Sequence, residues 1–83
     1  MTTMDKIKRV KEEHTRELLR KANVVGVAVG YKEREGEKTQ IPCLVVMVRK
    51  KVPLSELGPR DVIPAEIDGV ATDVREVGEI RAQ

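Results

Sequence analysis

The chain has 83 residues, of which 36% are charged, and its 16 basic and 14 acidic side chains leave a formal net charge of +2. This length fits one small domain, residues 1–83, and the balanced charge excludes a strong field of a single sign. With one Tyr and neither Phe nor Trp, the core must be aliphatic. No apolar run approaches the ~20 residues that span a bilayer, and the single Cys fits a reducing compartment. We therefore expect a cytoplasmic protein without membrane contact.

Residues 3–22 are predicted to form an amphipathic helix. Thr2 or Thr3 is suited to the N-cap position, and Asn23 is suited to end the helix. Positions that recur every three or four residues form one mainly apolar stripe, which predicts packing against the rest of the chain. The members of the stripe are Met4, Ile7, Val10, His14, Leu18 and Ala22.

The next segment predicts two antiparallel strands. The first, residues 24–32, carries larger side chains on one face and Gly or Ala on the other, which indicates close approach by the helix or by a neighbouring chain. A polar turn at residues 33–38 contains Gly36, and the second strand returns over residues 39–51. Both alternating faces of this second strand are apolar, with Cys43, Val45 and Met47 on one and Leu44, Val46 and Val48 on the other.

The last third predicts a helical turn and a hairpin. The turn covers residues 53–57 and is stopped by Gly58-Pro59. Asp68-Gly69 between apolar residues is a strong hairpin signal, followed by an alternating strand at 70–77 and a short tail at 79–83. The order α-β-β-short turn-β-β predicts an α+β fold, with the N-terminal amphipathic helix packed on a mostly antiparallel four-stranded sheet.

The second strand dominates the functional interpretation. A strand that is apolar on both faces needs cover on both, and the chain offers only one long helix. We therefore expect a non-catalytic interaction or self-assembly module, with an uncovered apolar sheet face or edge that contacts a second copy or another protein. The residues predicted for this contact are Val25, Val27, Val29, Tyr31, Val45 and Met47.

Three residues have side chains of the kind that act as a base or a nucleophile in an active site. His14 is the only histidine and lies in the helix stripe, where a residue at the margin of the core is the simpler interpretation. Cys43 in an apolar strand is expected to be a small buried side chain, and Ser55 has no nucleophile motif around it. We therefore predict no enzyme and no catalytic, cofactor or metal site.

Two groups of basic residues make a nucleic-acid-associated protein the alternative class. Acidic side chains interrupt the first group, and Tyr31 is the only aromatic residue available to stack on a base, so nucleic acid is the less favoured partner. The residues predicted for nucleic-acid contact are Lys6, Lys8 and Arg9 on the helix and Arg49, Lys50 and Lys51 after the second strand.

Three stretches carry a resemblance to a known group of proteins: Asn23-Val24-Val25-Gly26-Val27, Lys50-Lys51-Val52-Pro53-Leu54-Ser55-Glu56-Leu57 and Ile63-Pro64-Ala65-Glu66-Ile67-Asp68-Gly69-Val70. Over residues 23–78 the chain resembles the N-terminal segment that precedes a trypsin-like serine peptidase domain in bacterial proteins. The resemblance implies an accessory domain that packs on a peptidase domain, or a fragment or regulator of such a peptidase. No residue of a peptidase triad has a matching position here.

Overall fold

The computed structural model describes residues 3–78. The chain forms helix α1 (Met4–Leu19), strands β1 (Val24–Arg34) and β2 (Glu37–Val48), a 3-10 turn (Leu54–Glu56) and strands β3 (Glu66–Ile67) and β4 (Val70–Glu76). The strands form one sheet in the order β1-β2-β4-β3. The predicted α+β fold, a helix on a mostly antiparallel four-stranded sheet, is confirmed. The predictions for Thr2 and for the tail at 79–83 lie outside the described residues.

Helix α1 is capped as its sequence predicts but ends three residues earlier. Thr3 is extended, and its Oγ1 accepts a hydrogen bond from the Lys6 N–H at 3.2 Å. After Leu19 the chain turns through Arg20 and Lys21 into Asn23, whose φ of 74° lies in the left-handed region and stops the helix. Within residues 3–78, no helix combines the length and the apolar character needed to cross a bilayer.

Asn23 also sets where β2 ends. Its side-chain oxygen accepts the Lys50 N–H at 3.1 Å, its side-chain amide donates to the Lys50 carbonyl, and its own carbonyl accepts the Arg49 N–H at 2.9 Å. These bonds hold residues 49–50 against the end of the helix, so β2 stops at Val48 instead of continuing to residue 51 as the sequence predicted.

Both hairpin turns have two residues in the left-handed region. Glu35 and Gly36 have φ of 52° and 82°, so the strands extend into the turn predicted at residues 33–38. Asp68 and Gly69 have φ of 49° and 80°, which confirms the hairpin predicted there. Asp and Gly tolerate this conformation, and the geometry suits the twist of an antiparallel pair.

The sheet is mixed because β2 has an antiparallel neighbour on one side and a parallel one on the other. Leu44 pairs with Val29 of β1 and with Thr72 of β4. The parallel pair follows from the connection at residues 49–69, which carries the chain back to the starting end of β2 before β4 begins.

The core lies between α1 and one face of the sheet. Its fully buried members are Ile7, Val10, Leu18, Leu44, Val46 and Val70, and the helix stripe is therefore confirmed at its three central apolar positions. Val27 and Val29 of β1 also pack here, so the helix covers the face of β1 with the larger side chains. The expectation that the helix lies over the Gly and Ala side is wrong, because the larger side chains fill the space between the two layers.

Candidate functional site

The sheet face opposite α1 is the first candidate surface. We define this open face by the residues that the strand register places on it: Gly26, Ala28 and Gly30 of β1, Cys43, Val45 and Met47 of β2, and Asp73 and Arg75 of β4.

The open face exposes far less apolar surface than the sequence predicted. Within the single chain Cys43 is 0% exposed and Val45 is 4% exposed, and Met47 is half-buried. Both faces of β2 are therefore covered at these positions without a second polypeptide. The expectation of a large uncovered apolar face is corrected, because side chains of the neighbouring strands take the place of a second helix.

Arg75 provides part of this cover by reaching from β4 across β2 to β1. Its Nε donates to Asp73 Oδ2 at 3.0 Å, its Nη1 lies 3.6 Å from Glu33 Oε1, and its Nη2 donates to the carbonyl of Tyr31. Asp73 makes the same crossing, since its Oδ2 accepts the Glu33 N–H at 3.0 Å. We name this set of four residues the Arg75 bridge.

The Gly residues of β1 allow side chains of β2 to lie close to the sheet on the open face. A Cβ placed on Gly26 would stand 2.7 Å from Met47 Cε, and one on Gly30 would stand 3.2 Å from Val45 Cγ2. Side chains of β2 therefore lie flat over the backbone of β1. The close approach that the glycines predict is real, but it is made by the same chain.

Cys43 is placed where a thiol is unreactive. Burial raises the pKa of the Cys43 thiol, and the nearby Asp73 carboxylate raises it further, against a smaller opposing effect of Arg75. The thiolate is the nucleophilic form, so this environment disfavours covalent chemistry at Cys43.

The six residues predicted for protein contact do not form one surface. Val27 and Val29 pack in the core against the helix, whereas Val45 and Met47 lie on the open face. Tyr31, 44% exposed, pairs with Pro42 on the helix side, and Val25 sits at a register shift between Val24 and Gly26. The sequence grouping failed because it combined opposite faces of β1 and β2.

What β1 does offer is a long outer edge. Within residues 3–78, the strand pairs only with β2, and it is 11 residues long. Its register with β2 is irregular at Val24/Gly26 and at Tyr31/Glu33, and the segment between these points carries no charge. Charged edge residues and bulges are the usual protection against edge pairing, so this middle segment is the unprotected part.

The two predicted basic groups are not brought together. Lys8 and Arg9 lie in the first turns of α1, whereas Arg49 is bonded to Asn23 beyond the other end of the helix. With a rise of about 1.5 Å per residue, the groups are separated by roughly 15–20 Å along the helix axis. A continuous basic patch across both groups is therefore not formed.

His14 has a polar partner that sequence analysis missed. Its Nε2 lies 2.8 Å from Asp68 Oδ2 in the β3–β4 turn, and its Nδ1 lies 3.6 Å from Glu17 Oε2 one helical turn on. The hydrogen bond with Asp68 raises the pKa of His14, burial opposes the rise, and Glu17 adds to it. Sequence gave no signal for this pair, because 54 positions separate the two residues.

Ser55 lies exposed in the 3-10 turn, and within residues 3–78 no hydrogen bond is found between it and His14 or Cys43. An apolar cavity of about 230 Å³ lies between the residues that follow α1 and the residues that flank this turn, with Val48, Leu57 and Ile63 in its wall. Ligand pockets usually have about 300–1,000 Å³, so this cavity is small for a cofactor.

Comparison with known proteins supplies the family. A family model described as the NARROW LEAF 1 N-terminal domain matches residues 2–78. Protein NARROW LEAF 1 from Oryza sativa subsp. japonica is 40% identical over 45 residues, which is 54% of this chain and 8% of that protein. The chain thus spans only a small part of the length of this relative.

These matches correct the resemblance drawn from the sequence. The expected accessory segment of bacterial trypsin-like peptidases is wrong, because the model that matches is that of another domain and the curated relative is a rice protein. The match extends from α1 to the end of β4, so the whole described fold is included, and the chain belongs to the family of NARROW LEAF 1 N-terminal domains.

Proposed function

We propose that this domain is a non-catalytic interaction module that pairs with a second copy of itself through the outer edge of β1. The observation that carries the proposal is the uncharged segment Gly26–Tyr31, which lies between two register irregularities on a strand with one free edge among the described elements. An edge of this kind presents unpaired N–H and C=O groups to any strand that can lie beside it.

A second copy is a suitable partner because β1 can pair with itself without bringing like charges together. In an antiparallel two-fold pairing each residue lies opposite its mirror position about the axis. An axis at Ala28 brings Val27 opposite Val29 and Gly26 opposite Gly30, and no charged side chain lies within this paired segment. No charge meets a like charge in this register, and the small side chain of Ala28 permits close approach at the axis.

The Arg75 bridge supports an edge rather than a face as the contact surface. It spans the open face from β4 to β1, and Cys43 and Val45 on that face are already buried in the single chain, so little apolar area remains to be gained by stacking a partner there. Pairing of two six-residue segments would be roughly 20 Å long. This is a small interface, and we expect a dissociation constant on the order of tens of micromolar.

The test is sedimentation equilibrium of the full chain over a range of concentrations around that value. Ala28→Lys places two lysines directly opposite each other at the axis, and Ala28→Glu does the same with two carboxylates. Each variant is expected to weaken self-association at least about tenfold, and an equimolar mixture of the two is expected to restore it as a heterodimer.

Gln40→Lys is the matched control, because it adds the same charge at an exposed position of β2. It is expected to associate as the unchanged chain does. A wild-type chain that stays monomeric at millimolar concentration overturns the proposal. So does a mixture of the Lys and Glu variants that associates no better than either alone.

A further inference from the structure

We propose that Glu13, His14 and Asp68 form a binding site for one Zn²⁺ ion, which joins α1 to the β3–β4 turn. This inference is independent of the edge pairing proposed above, since the site lies on α1 and on the hairpin at the opposite side of the sheet order from β1.

The geometry brings three ligand atoms to one point. A nitrogen of His14 and one carboxylate oxygen each from Glu13 and Asp68 all lie within 4.8 Å of one another. Two ligands of a tetrahedral zinc ion, at bond lengths near 2.1 Å, stand about 3.4 Å apart. The separation of 2.8 Å between His14 Nε2 and Asp68 Oδ2 therefore needs only a small opening for the ion to enter between them.

The surroundings of His14 fit a ligand whose ring is held in place. Glu17 Oε2 stands 3.6 Å from Nδ1, on the side of the ring away from Asp68. Metal-bound histidines commonly donate their second N–H to a carboxylate, which fixes the ring orientation and strengthens the ligand. Glu17 places a carboxylate 3.6 Å from Nδ1, just beyond hydrogen-bond distance, and the contact of 2.8 Å with Asp68 makes Nε2 the nitrogen that faces the ion.

The donor set and the charge favour zinc. Imidazole with carboxylate oxygens is a common zinc environment, and three protein ligands leave the fourth position to water. Two carboxylates balance the double charge of the ion. The groove beside His14, about 300 Å³ in volume and also lined by Lys21 and Glu66, gives the ion access from solvent.

Binding is measured by isothermal titration of the chelator-treated full chain with zinc chloride near neutral pH. We expect one ion per chain. Zinc at about ten times its dissociation constant should raise the midpoint of thermal unfolding by at least about 5 °C, because the ion binds the folded state preferentially.

Two variants test the ligands. Asp68→Asn keeps the left-handed turn, since Asn adopts a positive φ readily, and His14→Gln keeps the helix. Each is expected to weaken zinc binding at least about tenfold and to remove the thermal shift. Glu12→Gln is the control for lost charge, because Glu12 is exposed on α1 and lies outside the cluster; its zinc affinity should stay unchanged.

Co²⁺ in place of Zn²⁺ identifies the donor atoms by absorption. Nitrogen and oxygen ligands give weak visible bands alone, whereas coordination by Cys43 adds intense thiolate charge-transfer bands. Thiolate bands, absence of binding at millimolar zinc, or wild-type affinity in both ligand variants overturns the proposal. Ala28→Lys should bind zinc with unchanged affinity, and loss of binding there would mean that the ion sits between copies, which also overturns the site.

Discussion

Single residues on the open face determine how closely the side chains of β2 pack against the backbone of β1. Gly26 and Gly30 are two glycines of one strand on one face, but their neighbours differ. The atom closest to a Cβ at Gly26 is the terminal methyl of Met47, which has three rotatable bonds above it. The atom closest to a Cβ at Gly30 belongs to Val45, which is buried, β-branched and restricted at χ1.

The same substitution at these two positions should therefore have different effects. Gly30→Ala is expected to lower the free energy of unfolding by about 1 kcal/mol, because Val45 is buried and restricted at χ1 and would have to shift away from the new methyl group. Gly26→Ala is expected to change it by less than about 0.5 kcal/mol, since the entropy lost by the unfolded chain offsets the displacement of the Met47 methyl. Urea denaturation of the three chains measures both values.

The two glycine variants control for each other in backbone entropy and strand position. If Gly30→Ala is the more stable of the two, the rigidity assigned to Val45 is wrong, and the packing of the open face is looser than the distances indicate.

At the level of secondary-structure elements, the hydrogen bond between His14 and Asp68 links α1 to the β3–β4 hairpin. The sequence predicted both elements and their approximate ends, because periodicity and the Asp68-Gly69 turn are local signals. It did not predict that they meet at His14. The residue stands in an otherwise apolar stripe, and only the parallel β2–β4 pairing brings the turn beside it.

The hydrogen bond between His14 and Asp68 should make the free energy of unfolding depend on pH, in a buffer that contains a chelator. The pKa of His14 is raised above its ordinary 6.5, chiefly by the hydrogen bond with Asp68. The folded state therefore holds the proton more strongly than the unfolded state. The stabilisation is fully present below pH 6.5 and is lost as the pH rises through the higher pKa of the folded state.

The size of the effect is modest because the Asp68 side chain is 58% exposed, and we expect under about 1 kcal/mol. The free energy of unfolding is measured at intervals between about pH 6 and pH 8.5, above the range in which carboxylates titrate. Asp68→Asn should lose most of this dependence. A wild-type chain that gains stability relative to Asp68→Asn as the pH rises would contradict the assigned sign.

At the scale of the molecule, the central strand was interpreted correctly in part. Apolar residues on both faces of β2 predicted burial on both, and Cys43 and Leu44 are each 0% exposed. The inference that another chain must cover the second face failed, because a long charged side chain can seal apolar surface with its stem while its head group is paired. Sequence periodicity marks Arg75 only as polar, and its reach across two strands depends on the sheet order.

The position of Arg75 across the open face leads to a prediction that involves the whole sheet. Arg75→Ala removes the part of the cover that Arg75 provides, and Cys43 should then react with an aromatic disulfide at least about tenfold faster than in the wild-type chain, where it is fully buried. Arg75→Met keeps the stem without the ion pairs and should fall between the two. Arg49→Ala removes an equal charge from an exposed position and should leave the rate unchanged.

Global unfolding also exposes Cys43, so the free energy of unfolding of each variant is measured alongside the reaction rate. Global unfolding alone gives a reaction rate that follows from the unfolded population. Only the part of the observed rate above that value reports on the Arg75 bridge. An unchanged rate in Arg75→Ala would mean that β1 and β2 shield the thiol by themselves. The small side chains of β1 would then be the main reason that one helix suffices for a sheet whose central strand is apolar on both sides.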